Sequence, residues 1–214
     1  MFRHGVRLSK KYNWNYLYKI ANYKLKNEKT GHDYDHILRV LNNACLIAKS
    51  IEKIDYDVLI ASCILHDISL FYGPSKKHHI TSADQAVPIL EKAEFEKKKI
   101  AQIHHAILHH NKGFSSDKNL LKDRLSTEAK ILCDADRMDA IGAIGLIRMI
   151  EFSNKQSIPY FISLNDKLDQ TYYGNIKYMA KIGGKLYFPS SRKLSIERIQ
   201  TMRIFLKEMK KEFQ

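Results

Sequence analysis

The chain has 214 residues, 44% of them hydrophobic, and a formal net charge of +13 with a pI near 9.5. That length supports one sizeable core and excludes two ordinary domains, so a single domain over residues 1–214 is expected. Three cysteines, Cys45, Cys63 and Cys133, exclude a disulfide framework, and no apolar stretch is long enough for a signal peptide or a membrane span, which together place the chain in the cytoplasm.

The first predicted helix covers about residues 9–26, with Trp14, Leu17, Tyr18, Ala21 and Leu25 forming an apolar stripe at steps of three and four. A turn through Asn27–Gly31 separates it from a helix over about residues 35–50. There Ile37, Val40, Leu41, Ala44 and Ile47 face inward, and His36, four residues before Val40, shares their face. Asp33 and Asp35 suit the N-terminal cap of this helix.

Asp55 suits the cap of the next helix, which runs through Val58, Leu59, Ala61, Ile64 and Leu65 into His66-Asp67. It is apolar nearly all round and is expected at the centre of the molecule. A carboxylate buried there costs several kcal/mol unless it is paired or metal-bound, so Asp67 needs a partner, and a cation is the least costly one. The loop at residues 71–77 carries Lys76 and Lys77 at its tip, where they are candidates for substrate phosphates, and it leads past His78 into a helix over about residues 81–92.

The run from Ile100 to His110 holds four histidines, with Ile100, Ile103 and Ile107 marking its buried stripe. His105 and His109 are four apart, the spacing that brings two imidazoles to one ion, while His105 and His110 are expected at the surface. After a polar loop over residues 111–124, Ser126 caps a helix on which Asp136 faces the core and Asp134 does not. Asp139 either orients a ligand or pairs with Arg137. Gly142, Ala143 and Gly145 permit close packing of another helix. Ile158-Pro159 breaks the chain, Tyr172, Tyr173 and Tyr178 alternate with Lys177 and Lys181, and a last helix runs over about residues 195–212. Helical packing explains these tyrosines better than base stacking, and scattered lysines fit a solvated surface better than one block of charge.

His36, His66, Asp67 and Asp136 form an N₂O₂ set suited to a borderline or hard divalent ion with positions left for water and a phosphate. The same ordered elements, flanked by His32-Asp-Tyr-Asp-His-Ile-Leu-Arg-Val40 and by Glu128-Ala-Lys-Ile-Leu-Cys-Asp-Ala-Asp136, resemble the H…HD…D signature of the HD-domain metal-dependent phosphohydrolases. Within that superfamily they are similar to small bacterial hydrolases, some of which act on nucleoside triphosphates. The resemblance covers about residues 30–151 and implies an all-α helical bundle with a divalent metal site in a central cleft, the segments 9–26 and 160–213 being appendages. It implies one ion (Mn, Mg, Co, Ni or Fe) on His36, His66, Asp67 and Asp136, and hydrolysis of a nucleotide or related phosphate ester or anhydride by a metal-activated water. Asp67 and His109 are then the catalytic candidates, and His78 contacts substrate or joins a second ion. The carboxylate pair that some relatives carry after the HD dipeptide is absent, since Ile68-Ser-Leu-Phe-Tyr72 follows, which argues against an alarmone substrate. The competing readings are a two-metal phosphodiesterase, an oxidative di-iron enzyme and a non-catalytic protein that binds RNA; a homodimer is compatible with all of them.

Overall fold

A computed structural model of the protein describes residues 6–28, 31–72, 77–111, 125–159, 171–183 and 185–212. Among these residues the secondary structure is entirely helical. The helices are α1 (Trp14–Leu25), α2 (Tyr34–Ala48), α3 (Tyr56–Leu65), α4 (His78–Lys92), α5 (Lys97–His109), α6 (Thr127–Asp139), α7 (Gly142–Lys155), α8 (Tyr172–Ile182) and α9 (Pro189–Glu212), with a short 3-10 helix, Ile68–Tyr72, after α3. None is long and apolar enough to cross a membrane. The chain divides into two compact units, Met1–Glu28 with His32–Asp136, and Lys29–Gly31 with Arg137–Gln214.

The first unit is built around α3. Every residue from Val58 to Leu65 is buried, as expected of a helix with no polar face, and α1, α2 and α5 pack against it. Its start is fixed by the Asp55 carboxylate, which accepts from the Val58 N–H at 3.2 Å, while Lys99 of α5 bridges Asp55 and Asp57 at 2.8 and 2.7 Å. Cys45, Cys63 and Cys133 are buried free thiols, and burial pushes the Cys63 thiol well up, so it behaves as a small apolar side chain.

Helix α1 starts at Trp14, where its apolar stripe begins, five residues later than the expected span. Residues 9–12 have other partners: the Ser9 N–H donates to Asp57, the Trp14 indole donates back to the Ser9 carbonyl at 2.8 Å, and Tyr12 stacks on Phe95. Asn13 then caps the helix by accepting from Tyr16 N–H. Asp33 caps α2 in the same way, accepting from the His36 N–H at 2.8 Å. Asp33→Ala is therefore expected to cost about 1 kcal/mol, read as a lower urea midpoint at unchanged m-value.

The second unit is cored by Ile141 and Leu146, by Tyr172, Ile176 and Ala180 of α8, and by Ile199, Met202 and Leu206 of α9. Gly142 opens α7 at φ +81, where a Cβ would lie 3.0 Å from Arg198. Gly145 packs so closely on the Ala140 carbonyl oxygen that a Cβ would sit 2.4 Å from it. The close approach expected at these glycines is therefore made to a side chain and to the preceding turn. Helix α9 begins six residues before its predicted start, with Pro189 at the first position, where its missing N–H costs nothing.

Candidate metal centre

The first unit brings six residues from five separate segments to one point. His36 comes from the first turn of α2, His66 is the residue that ends α3, Asp67 follows it, His78 opens α4, His110 ends α5 and Asp136 lies on α6. Three overlapping groups could each hold a cation: His36, His66 and Asp67; His66, His110 and Asp136; and Asp67, His78 and His110.

Asp67 is the hub. Its Oδ2 lies 3.5 Å from His36 Nε2 and 3.4 Å from His66 Nε2, and its Oδ1 lies 3.6 Å from His78 Nε2 and 3.7 Å from His110 Nε2. Asp136 Oδ1 closes the first half, 3.5 Å from His36 Nε2 and 4.0 Å from His66 Nε2. The facing nitrogens within each pair are 3.2 Å apart for His36 and His66 and 3.3 Å for His78 and His110. One carboxylate thus stands between two imidazole pairs, with one oxygen toward each.

Two of these rings are held by the same local device. His66 Nδ1 is 2.9 Å from the Cys63 carbonyl, and His110 Nδ1 is 2.6 Å from the Ile107 carbonyl. A carbonyl only accepts, so Nδ1 carries the proton in both, and the Nε2 lone pair faces the centre. The last turn of a helix leaves its carbonyls free, which is why a histidine at that position can bond back three residues. His78 is positioned through its backbone: its carbonyl accepts from Ser69 Oγ, itself bonded to Ser82 Oγ. Asn43 of α2 donates to the Ala135 carbonyl at 3.1 Å and so fixes α6 beside Asp136.

The electrostatics suit a cation. Burial alone would push Asp67 up, but His66, His36, His32 and His78 outweigh it and hold the carboxyl well below the usual carboxylate range. Burial also works against ionised Asp136, and His36 and His66 overcome it. Burial and the neighbouring His66 push His110 down to about 4, leaving its imidazole neutral and able to ligate. Asp67 Oδ1 is buried without a hydrogen-bond partner, an arrangement that a bound cation resolves. Imidazole nitrogens with carboxylate oxygens and no sulfur form a donor set that fits a divalent ion. Asp136 and His78 keep 19% and 24% of their side chains exposed and mark the accessible side.

His36, His66, Asp67 and Asp136, expected as ligands, are all in this cluster. Lys77, the residue before α4, is exposed, and Lys76 lies outside the described residues, as does most of the loop expected over residues 111–124. His109 is outside the three groups; its ring packs edge-on against His105 with centroids 4.5 Å apart, and its carbonyl accepts from Cys133. His110, expected at the surface, is 1% exposed and belongs to two of the groups. Continuing the stripe Ile100, Ile103, Ile107 by one step of three reaches it. Asp134, expected to face away from the core, is fully buried, because α6 is enclosed on nearly every side from Ile131 to Asp139. Asp139 pairs with Arg148 at 2.9 Å, and Arg137 donates to the Lys185 carbonyl. His32, not singled out in the sequence, sets its ring 5.4 Å from that of His36.

The HD domain family model matches residues 33–141, which include every member of the cluster. The chain belongs to the HD domain family. It is 26% identical to the Bacillus subtilis protein YpgQ over 189 residues, 88% of this chain and 87% of that one. The crystal structure of YpgQ in complex with ADP superposes with a TM-score of 0.70 at 23% identity, covering 92% of this chain and 95% of YpgQ. A Lactobacillus plantarum protein gives 0.74 at 22% identity, over 93% of this chain and 95% of that one. An HD-superfamily hydrolase from Bacillus thuringiensis gives 0.68 at 20%, again over 93% and 95%. The all-helical fold is thus shared across nearly the whole chain.

Proposed function

We propose that the chain is a metal-dependent phosphohydrolase acting on a nucleotide or a related phosphate ester or anhydride. The observation that carries this reading is the buried Asp67 carboxylate, set between two imidazole pairs with one oxygen lacking a hydrogen bond. His36, His66, Asp67 and Asp136 would hold one divalent ion of the Mn, Mg, Co, Ni or Fe type. Such an ion, when bound, neutralises charge on a phosphate oxygen and lowers the pKa of a water toward neutrality.

The chain's own groups then have separate tasks. The back-bonded Nδ1 protons of His66 and His110 keep their Nε2 atoms aimed at the centre without reorganisation. Asp136, on the accessible side, is placed to take a proton from an attacking water. His32, His109 and Lys77 are the candidates for a leaving oxygen or a substrate phosphate. A nucleotide substrate is supported by the ADP complex of YpgQ. The free, buried cysteines support a cytoplasmic setting.

The Asp67 Oδ1 side favours a second reading, in which His78, His110 and Asp67 hold a second ion and the enzyme is a phosphodiesterase. Metal-stripped protein, reloaded with each ion and given nucleoside mono-, di- and triphosphates, cyclic nucleotides and a generic phosphodiester, tests both. Release of phosphate or pyrophosphate only in the presence of metal is the expected result, and no turnover with any ion would refute it. A bound stoichiometry of two that falls to one in His110→Ala selects the two-ion reading; one ion in both proteins selects the first.

A further inference from the structure

More than half of the net positive charge lies in a fifth of the chain: residues 171–212 contain ten Lys and Arg against three Asp and Glu, +7 of the total +13. Helices α8 and α9 pack through Ile176, Ala180, Ile199, Met202 and Leu206, and a groove of about 510 Å³ lies between them. It is lined by Tyr173, Lys177, Arg203, Lys207, Lys210 and Lys211. The helical repeat collects these cations: on α9 they recur at i, i+4, i+7 and i+8, and on α8 Tyr173 and Lys177 are four apart. Lys211 pairs with Glu208 at 2.9 Å and Lys207 also feels that carboxylate, whereas Lys177, Arg203 and Lys210 have no carboxylate at ion-pair distance among the described residues.

We infer that this α8–α9 groove binds single-stranded nucleic acid along its phosphate backbone. Five cations around one groove, with Glu208 the single carboxylate found against them among the described residues, repel each other and attract a polyanion. Their extent argues for a chain of phosphates over a compact ion. Arg203 to Lys211 spans about 12 Å of helix axis, and Lys181 continues the row one turn beyond Lys177. Tyr173 of α8, which lines the groove, adds an aromatic face on which a base can stack. None of these residues belongs to the metal centre, so the inference stands independently of the proposed hydrolase activity.

The test is fluorescence anisotropy of labelled dodecauridylate with the full-length protein, titrated across salt from about 50 mM upward. The triple variant Lys177→Gln/Lys207→Gln/Lys210→Gln is expected to bind at least about tenfold more weakly, with a log–log salt slope shallower by about two. The control Lys92→Gln/Lys97→Gln/Lys98→Gln, which removes the same charge from exposed positions on α4 and α5, should change affinity by less than about threefold. If the triple variant misfolds, Lys207→Gln alone carries the test with a loss of about threefold. Equal losses in the groove and control variants would overturn the inference, as would no binding by wild type at low salt. Inorganic tripolyphosphate displacing the oligonucleotide at equal phosphate concentration would also overturn it, in favour of a compact phosphate ligand.

Discussion

Asp67→Asn is expected to abolish metal-dependent turnover, by on the order of a thousandfold or more, while leaving a folded protein. The amide keeps the shape of the carboxylate but brings no negative charge, and it presents an N–H₂ group to one of the two imidazole pairs that Oδ1 and Oδ2 now face. In the metal-free protein the change removes the attraction of the carboxylate for His66 and His36 but no hydrogen bond at Oδ1. The loaded protein would lose the central member of the proposed ligand set. In wild type, metal at a hundred times its dissociation constant stabilises the fold by about 2.7 kcal/mol, a rise in Tm of several degrees that chelator reverses. The variant should show the metal-free Tm with or without the ion, together with bound metal near zero by elemental analysis. Undiminished metal content in Asp67→Asn would remove Asp67 from the ligand set and with it the central argument for the site.

How much of this site the sequence discloses depends on how each residue is held. Asp67 and His66 are conspicuous because α3 has no polar face: a charged group in such a run has nowhere else to go. His36 and Asp136 follow from simple helical spacing. His110 is harder to read, since it is the residue after the last helical one, and its ring reaches the centre through a bond to its own Ile107 carbonyl. A side chain's direction at a helix end is set by capping, which the interior periodicity does not describe. Asp134 fails for a different reason: on a helix buried nearly all round, spacing from one apolar neighbour does not define an outside. The start of α1 shows a third limit, in that residues 9–12, expected within the helix, are committed to Asp57 and Phe95, partners far away in the sequence. The HD motif itself is local and therefore legible, whereas the second imidazole pair depends on where α4 and α5 begin and end.

Asp139→Ala is expected to be the most destabilising substitution in the second unit, although Asp139 lies only three residues from Asp136, one of the proposed ligands. Its carboxylate is 3% exposed and accepts from Arg148 at 2.9 Å, and Arg148 has 11% of its side chain exposed. The Arg148 Nε is already buried without a hydrogen-bond partner, so losing Asp139 would leave a buried guanidinium short of both charge and acceptors. Removing one member of a buried pair costs about 3–5 kcal/mol, which for a chain of this size corresponds to a fall in Tm of about 10 °C. Arg198 feels the same carboxylate, which favours its charged form against burial, and would be less well compensated. The double variant Asp139→Leu/Arg148→Met should recover much of the loss, because two apolar side chains of similar volume avoid the desolvation that the pair incurs. Thermal melts of the metal-free single and double variants measure this directly. A single variant that melts like wild type while binding metal at least tenfold more weakly would instead make Asp139 a residue that orients Asp136 as a proposed ligand, the role its spacing from that aspartate suggests.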